Sequence, residues 1–291
     1  MASTGNRIRL RLPESGQILN SKYRIGEKVS SGTYGVVYHA FDLTSSEGVA
    51  VKCLLPSAAT SDAVVRRFER EIMVIRELTH PNIISVFDSG FSDGCLYYVM
   101  EYLDGEDLGA RLRLGALSPK GAAMVTIQVL LALEEAHAHD IIHRDLKPEN
   151  IFLQSSSDGR VRIRVLDFGI AKIVGERAET VERLTLNNEA CGTPNYMAPE
   201  LVTGGKVGAW TDIYALALIA WEMLTAQVAI AGASFIETLR RQITYVPPMP
   251  DGLDPALAEV LNKALSKAAA ERYQSAGEMR LALTQALQAM P

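Results

Sequence analysis

Residues 143–153, HRDLKPENIFL, decide more about this chain than any other stretch. An acid, a cation and an amide lie close together there, as Asp145, Lys147 and Asn150. Because Pro148 lacks a backbone N–H, the stretch predicts a loop rather than a continuous helix. Five fixed positions of this kind recur by chance in such a chain roughly once in ten thousand. The stretch is therefore a strong candidate for a reaction site.

Two further motifs follow this loop. Residues 164–172, RVLDFGIAK, place Asp167 at the end of an apolar strand, with Gly169 to free the turn behind it. Residues 192–200, GTPNYMAPE, end at Glu200.

A glycine-containing turn precedes the loop, in residues 29–38, VSSGTYGVVY. The pattern predicts strand, tight turn and strand, with Gly32 and Gly35 in the turn. A G-x-G-x-x-G phosphate loop has this spacing, but Ser30 replaces its first glycine. Taken alone, the stretch favours an ordinary hairpin over a phosphate-binding loop.

The next predicted strand ends in VAVK at Lys52. A lysine on a buried strand either reaches solvent with its ammonium or needs a partner, because an unpaired buried charge is costly. The following helix, residues 62–78, has an apolar stripe formed by Val64, Phe68, Ile72 and Ile75. Glu71 lies roughly 60° from the centre of that stripe, closer than the other glutamates. Glu71 is therefore the predicted partner of Lys52.

Composition limits the class of protein. The chain has 291 residues, 48% hydrophobic and 22% charged, with a net charge of −5, so no basic field favours nucleic acid. Its three cysteines are far apart, which is unlike a zinc site or a disulfide framework and is typical of a reducing cytoplasm. The longest apolar stretches are too short to predict a membrane span. Residues 1–19 lack a signal-peptide pattern and are interpreted as a loosely held extension.

The chain changes character near Leu103. Five short segments that begin near Tyr23, Gly35, Gly48, Ile84 and Cys95 predict strands, interrupted by the one helix. Beyond them, helices are expected from Ser118, as a cap, and over residues 211–225, 234–243, 255–266 and 275–288. Ser275 and Glu278 have capping-box spacing. The fold class is α+β, with an extension over 1–19 and lobes over 20–103 and 104–291, and a cleft between lobes is the default ligand site.

In their order and spacing, SGTYGVV, VAVK, HRDLKPEN, DFG and APE resemble the eukaryotic-type Ser/Thr protein kinase family. The residue patterns of three segments resemble those of its bacterial branch: GTPNYMAPE, TDIYALALIAWEML and ERYQSAGEM. The resemblance covers the chain from about Tyr23 to the end of the last helix. It implies a bilobal fold, with a small β-rich N-lobe containing one helix and a larger, mainly helical C-lobe.

The resemblance also implies ATP and Mg²⁺ as cofactors, protein Ser/Thr hydroxyls as acceptors, and a role for each motif residue. Asp145 would accept the proton of the acceptor hydroxyl, Lys147 would neutralise the moving phosphoryl group, and Lys52 would hold the α- and β-phosphates. Asn150 and Asp167 would bind Mg²⁺. The nucleotide-binding set it implies is Ser30, Gly32, Gly35, Val37, Ala50, Lys52, Glu71, Met100, Glu101, Leu103, Asn150 and Asp167.

Regulation is implied as well. An arginine before the base, here Arg144, couples in this family to phosphorylation of the segment over residues 167–200. Thr180 and Thr185 are the candidate phosphosites, and two copies of the chain could pair as a homodimer for autophosphorylation. Thr193 is expected to be structural.

Three more residues have implied structural roles. Glu200 and Arg272 would form a buried ion pair, and the alternative is a solvated Arg272. Asp212 would hold the backbone of the catalytic loop. The chain departs from the family pattern at Ser30, at Cys191, and at Ala268 and Ala269, where only a helix cap is put in doubt.

Two other functions are weighed against an active kinase. A pseudokinase scaffold commonly loses the strand lysine, the catalytic acid or the metal acid, whereas Lys52, Asp145 and Asp167 are all present. A small-molecule phosphotransferase would lack the APE segment that docks a protein substrate. A P-loop NTPase is excluded because G-x-x-x-x-G-K-[ST] does not occur.

Overall fold

A computed structural model describes residues 11–32, 35–56, 68, 72–73, 75–155, 161–168 and 194–290. These residues divide into two compact units. One unit contains the described residues up to Thr79 together with Ile84–Leu103. The other contains His80–Ile83 and the described residues from Asp104 onward.

Six antiparallel strands form the sheet of the first unit, in the spatial order β1-β2-β3-β4-β6-β5. They are β1 (Ile18–Leu19), β2 (Tyr23–Ser31), β3 (Gly35–Asp42), β4 (Glu47–Leu54), β5 (Val86–Ser92) and β6 (Cys95–Glu101). β-Branched and aromatic residues explain these strands, because such side chains pack well on a pleated surface. The expected strand-rich first half is confirmed.

The two faces of this sheet differ in composition. Successive residues of a strand point to opposite faces. Val49, Val51 and Cys53 of β4 join a buried apolar cluster on one face. The intervening residues Ala50 and Lys52 therefore lie on the other face.

The predicted helix of the first unit is confirmed for the residues that the structure describes. Phe68, Ile72 and Ile75 are helical and at most 4% exposed. The ring of Phe68 packs against Tyr98 of β6, with centroids 6.1 Å apart. Val64 and Glu71 lie outside the described residues.

The expectation of a loosely held extension is wrong for residues 11–19. The Arg11 N–H donates to the Gly94 carbonyl at 2.8 Å, at the turn between β5 and β6. Leu12 packs against the buried apolar cluster, and Leu19 is fully buried. Burial of Leu19 and partial burial of Leu12 hold the segment, since a fully buried leucine contributes about 2 kcal/mol. Residues 1–10 lie outside the described part of the chain.

The second unit is mainly helical. Its small antiparallel sheet contains β7 (Gly105–Asp107), β8 (Ile151–Ser155) and β9 (Val161–Val165). Its α-helices are α1 (Leu108–Leu112), α2 (Pro119–Ala138), α3 (Pro199–Thr203), α4 (Ala209–Thr225), α5 (Phe235–Thr244), α6 (Pro255–Ala264) and α7 (Ala276–Ala289). Among the described residues, no helix is both long and apolar enough to cross a membrane.

Helix α4 forms the centre of this unit. Every residue from Thr211 to Ala220 is buried, so the helix is buried on all sides rather than on one face only. It begins two residues before the expected position, because the Gly208 N–H donates to Thr211 Oγ1 at 3.2 Å. The polar groups inside it, including Asp212, are consequently buried where hydrogen-bond partners are required.

Capping explains where the other helices begin. Ser118 accepts the Gly121 N–H at 3.1 Å and Pro119 follows, as the sequence predicts. Ser275 accepts the Glu278 N–H at 3.2 Å, which confirms half of the predicted capping box. The reciprocal half is wrong, because the Glu278 carboxylate accepts from the backbone N–H of Gln274 at 2.9 Å.

Candidate active site

The reactive residues of the loop after α2 lie next to one another. Lys147 Nζ lies 3.1 Å from Asp145 Oδ2, and both side chains are partly exposed. The Asn150 side chain donates from Nδ2 to the Asp145 carbonyl at 2.8 Å. A single 3-10 turn, Pro148–Asn150, leads into β8, so the prediction of a loop without a continuous helix is confirmed. The arrangement presents an acid and a cation on a braced backbone.

A buried carboxylate fixes the backbone before Asp145. Asp212 of α4 is 1% exposed and accepts the N–H groups of His143 and Arg144, each at 2.8 Å. Arg144 has φ +63°, a left-handed conformation that is uncommon for a residue other than glycine. The charge-assisted hydrogen bonds that the two backbone N–H groups donate to Asp212 stabilise this conformation. The expected role of Asp212 in holding the loop is confirmed.

His137 is a third donor to Asp212, and the sequence analysis did not single it out. Its Nε2 lies 2.8 Å from Asp212 Oδ2. The other ring nitrogen, Nδ1, is buried without a hydrogen-bond partner in the described part of the chain. With Nε2 as the donor, three hydrogen bonds compensate the burial of the carboxylate.

His143 links the loop to the segment that contains Asp167. It is fully buried, and its Nε2 lies 2.8 Å from the Leu166 carbonyl. Its ring also packs on Phe168, with centroids 4.9 Å apart. The Leu166 N–H in turn donates to the Asn150 carbonyl at 2.9 Å. Hydrogen bonds therefore join the catalytic-loop segment directly to the segment that contains Asp167.

The oxygen atoms of Asn150 and Asp167 are of the kind that bind a divalent cation. The Asn150 amide is oriented by its bond to Asp145, which leaves Oδ1 as an acceptor to which no described residue donates. Asp167 has φ +55°, another left-handed conformation of the kind that clusters at functional sites. One amide oxygen and one carboxylate are hard oxygen ligands of the type that Mg²⁺ takes alongside phosphate oxygens.

In the first unit, four predicted nucleotide-binding residues share a single face of the sheet. Residues directly opposite in an antiparallel pair point to the same side. Lys52 is opposite Val37, and Ala50 is opposite Met100. Lys52 Nζ lies 6.0 Å from the centre of the Tyr98 ring, on the same face. An aliphatic surface with a cation beside it could bind a flat base and an anion.

The glycine turn is a hairpin between β2 and β3. Ser30 lies in β2 opposite Val37, so its backbone is extended as expected. The Gly32 N–H donates to the Gly35 carbonyl at 2.8 Å. A Cβ on Gly35 would lie 2.7 Å from the Cys53 carbonyl, so the backbone of β3 approaches β4 too closely for any side chain there. Gly35 is thus required by packing within the sheet.

The last residues of β6 are fixed by the chain just before β5. Met100 is 7% exposed. The Glu101 carboxylate accepts the Ser85 N–H at 2.6 Å, and the Glu101 N–H donates to the Ser85 carbonyl at 3.0 Å. Leu103 follows and is half-buried. The segment that would contact an adenine ring is therefore held in place at its first residue.

A buried ion pair closes the end of the GTPNYMAPE motif. Arg272 donates from Nη1 and Nη2 to the two carboxylate oxygens of Glu200, each at 3.0 Å. The Arg272 side chain is 0% exposed and that of Glu200 is 8% exposed. The expected ion pair is confirmed, and the alternative of a solvated Arg272 is wrong.

The residues before Glu200 are held by two side chains that the sequence analysis missed. Pro194–Tyr196 form a single 3-10 turn. The Tyr196 hydroxyl donates to Glu222 of α4 at 2.6 Å, and burial, followed by the charge of Glu149, raises the pKa of Glu222. Gln242 of α5 donates to the carbonyls of Pro194 and Asn195.

Several predicted residues lie outside the part of the chain that the structure describes. They are Glu71, Gly169, Thr180, Thr185, Cys191 and Thr193. Their predicted roles stay predictions.

A family model described as the protein kinase domain matches residues 23–288. The chain belongs to the protein kinase family. The match spans both compact units and includes the catalytic loop, the Asp167 segment and the glycine hairpin of this kinase domain.

The relatives of this kinase domain are bacterial Ser/Thr kinases, as the sequence predicts. It is 35% identical over 269 residues to the serine/threonine-protein kinase pkn3 of Myxococcus xanthus, covering 90% of this chain and 49% of that protein. It is 35% identical over 271 residues to PknB of Mycobacterium tuberculosis, covering 90% of this chain and 42% of PknB. The chain thus spans less than half the length of these relatives.

Solved structures agree on the fold. The Mycobacterium tuberculosis PknI kinase domain matches with a TM-score of 0.73 and 28% identity, over 94% of this chain and 100% of that one. The expected kinase fold, with its β-rich and helical parts, is confirmed. The chain contains a protein serine/threonine kinase domain of the bacterial branch.

Proposed function

We propose that this chain is an active kinase that transfers the γ-phosphoryl group of Mg·ATP to Ser and Thr hydroxyls of proteins. The observation that supports this best is the pairing of Asp145 with Lys147 on a loop whose backbone Asp212 holds. Phosphoryl transfer needs positioning and compensation of negative charge more than covalent help. A braced acid beside a cation supplies both.

Asp145 accepts the proton of the attacking hydroxyl, since it is the carboxylate of the braced loop. Lys147 offsets charge on the moving phosphoryl group from 3.1 Å away. Asn150 and Asp167 would hold Mg²⁺, which supplies charge neutralisation of the phosphate oxygens. The bond from Asn150 to the Asp145 carbonyl couples the metal ligand to the base.

Residues of the first unit bind the nucleotide. Lys52 holds the α- and β-phosphates, and Glu71 is its proposed partner. Backbone N–H groups between Ser30 and Gly35 cover the phosphates, apart from that of Gly32, which donates to the Gly35 carbonyl. This role requires no particular side chain at Ser30 and therefore tolerates the serine. Val37, Ala50 and Met100 contact the adenine, and backbone groups near Glu101 and Leu103 hydrogen-bond it.

The alternative of a catalytically inactive scaffold has less support. An inactive domain commonly lacks the strand lysine, the catalytic acid or the metal acid, whereas Lys52, Asp145 and Asp167 are all present. A small-molecule phosphotransferase is also disfavoured, because the turn over Pro194–Tyr196 and Glu200 are held by buried side chains as a docking segment would be.

Autophosphorylation belongs to the same proposal. A phosphate on Thr180 or Thr185, Thr185 being favoured because it is closer to the GTP anchor, would recruit Arg144 through charge-assisted hydrogen bonds. A transient homodimer would present the segment of one copy to the other. ATP use and thiols without disulfide spacing favour a cytoplasmic location.

One experiment tests the proposal: the chain is incubated with Mg·ATP and dephosphorylated casein, and phosphosites are mapped by mass spectrometry. We expect phosphate on Ser or Thr of casein and on Thr180 or Thr185 of the chain. Lys52→Met is expected to lose more than about tenfold in turnover, about 1.4 kcal/mol of barrier, without unfolding. Wild-type protein that modifies no hydroxyl, or a Lys52→Met variant with near-normal turnover, would refute the assignment.

A double Thr180→Ala, Thr185→Ala variant separates the regulatory part from the catalytic part. We expect lower activity towards casein and no phosphate on the segment. Full activity of this variant would remove autophosphorylation from the proposal and leave phosphoryl transfer intact.

A further inference from the structure

The amide of Gln242 is the only side-chain amide among the described residues that is fully buried and bonded to the docking turn, Pro194–Tyr196. Gln242 is 0% exposed on the inner side of α5. Its Nε2 donates to the Pro194 carbonyl at 3.0 Å and to the Asn195 carbonyl at 2.5 Å. Both amide protons are therefore used, and both go to consecutive carbonyls of one turn.

The acceptor side of the same amide is also occupied. The Tyr214 hydroxyl donates to Gln242 Oε1 at 2.9 Å, and Lys267 Nζ donates to that hydroxyl at 2.6 Å. Tyr214 lies on α4, which is buried through its whole centre. Two residues outside α5 thus set the orientation of the Gln242 amide. Exchanging the positions of Oε1 and Nε2 would turn the amide N–H groups towards the Tyr214 hydroxyl, which is itself a donor.

The chain of hydrogen bonds from Lys267 through Tyr214 to Gln242, here called the relay, contacts carbonyls of the turn that the other side-chain contacts do not reach. The Tyr196 side chain is tied to Glu222, and Glu200 is tied to Arg272. Neither contact touches the carbonyls of Pro194 and Asn195, which have only the Met197 N–H and Gln242 as described donors. The Met197 N–H donates to the Pro194 carbonyl, so loss of the amide would leave the part-buried Asn195 carbonyl without a described donor. An unpaired carbonyl away from water is costly, so the turn would shift towards other partners.

We propose that Gln242, oriented by Tyr214 and Lys267, is a positioning residue that sets the shape of the surface on which the protein substrate docks. The inference rests on the proposed function, because the turn matters to catalysis only if a protein is the acceptor. Gln242 contacts neither the Asp145 loop nor the Asp167 segment through any hydrogen bond of the described residues. Its loss should therefore weaken protein binding and leave the handling of ATP unchanged.

The test compares steady-state kinetics of wild type and Gln242→Met with dephosphorylated casein, varying casein and ATP in turn. Methionine keeps the side-chain volume and removes every hydrogen bond. We expect KM for casein to rise at least about tenfold, with kcat and KM for ATP within about threefold of wild type. A rise in KM at constant kcat is what loss of uniform substrate binding produces.

Two further variants make the result specific. Gln242→Glu has the same shape but cannot donate to the carbonyls, so it should behave as Gln242→Met does. Gln274→Met is the matched control, because Gln274 also donates from one amide to two carbonyls, those of Ala269 and Arg272, but on an exposed turn. It should leave both KM values unchanged.

Each outcome decides between the proposals. If wild type phosphorylates no protein, the proposed function fails and this inference fails with it. If wild type is active but Gln242→Met and Gln242→Glu keep the wild-type KM for casein, only this inference is overturned. Thermal unfolding checks that each variant is folded. If Gln242→Met does not fold, Tyr214→Phe replaces it as the test, because it removes only the hydroxyl. An unchanged KM for casein in Tyr214→Phe would overturn the proposed relay.

Discussion

Asp145 and Asp167 are both acids of the candidate site, but they are held differently. Asp145 lies beside Lys147, and its carbonyl accepts from Asn150, whereas Asp167 follows β9 in a left-handed conformation. The proposed base and the proposed metal ligand should therefore respond differently to removal of a charge.

Asp145→Asn is expected to keep Mg-dependent ATP affinity within about threefold, because both metal ligands remain. Asp167→Asn should lose at least about tenfold, or 1.4 kcal/mol, since a neutral amide replaces the anionic ligand. Calorimetric titration with ATP, with and without Mg²⁺, measures the difference. Equal affinities of the two variants under both conditions would show that the roles are misassigned.

Gly35 and Gly32 differ in the space that surrounds them. A Cβ on Gly35 would lie 2.7 Å from the Cys53 carbonyl, whereas the described residue nearest to a Cβ on Gly32 is Gly35, whose carbonyl would lie 3.9 Å away. The crowded position is the glycine that begins β3.

Gly35→Ala should lower the free energy of unfolding by about 1–3 kcal/mol, the usual cost of overpacking. Gly32→Ala should change it by less than about 0.5 kcal/mol. Urea unfolding of both variants distinguishes the positions, and equal destabilisation would contradict the geometry.

Ser30→Gly, at an extended position of β2, should alter kcat/KM for ATP by less than about tenfold.

At the scale of single elements, β1 shows how two residues can hold a terminal segment. Leu19 is fully buried in the apolar cluster, while its neighbour Ile18 is 44% exposed. The strand pairs with β2 through both residues. Side-chain burial at one position, rather than the short ladder, supplies most of its stability.

Leu19→Ala should therefore destabilise the protein by about 2–5 kcal/mol, as buried leucine truncations do. Ile18→Ala, on the same strand, is the control and should cost less than about 1 kcal/mol. Thermal or urea unfolding provides the values. A similar loss from both substitutions would mean that backbone pairing, and not burial, holds the segment.

At the scale of the whole chain, buried polar contacts join segments that are distant in sequence. Arg272 and Glu200 are 72 positions apart, and Asp212 accepts from His143 across 69 positions. These contacts lie in the interior of the helical unit. Removing one partner would leave the other charge buried and uncompensated.

Arg272→Met should lower the free energy of unfolding by about 3–5 kcal/mol, the usual cost of breaking a buried pair. Arg280→Met breaks the exposed pair with Glu134, whose side chains are 34% and 45% exposed, and should cost at most about 1 kcal/mol. Denaturant unfolding of both variants measures the contrast. A loss below 1 kcal/mol for Arg272→Met would contradict the assignment of a buried pair.

The sequence by itself determined the parts of this protein that depend on local pattern. The β-branched and aromatic runs of β2 to β6, the apolar stripe that includes Phe68, and the cap at Ser118 each lie within about a dozen residues. Composition, periodicity and spacing therefore predict them. The motif around Asp145 likewise combines an acid, a cation and an amide in one short loop, which made the family predictable and identified the residues that we propose take part in the reaction.

The tertiary structure alone decided which distant residues brace that loop and the docking turn. Neither His137 nor Gln242 belongs to a recognisable local pattern, because each is defined by a partner 48 or more positions away. The same holds for Leu12, whose burial required the sheet to exist first. Hydrogen-bond partners and buried neighbours of this kind are set by how elements pack, since burial is what makes an unpaired polar group costly.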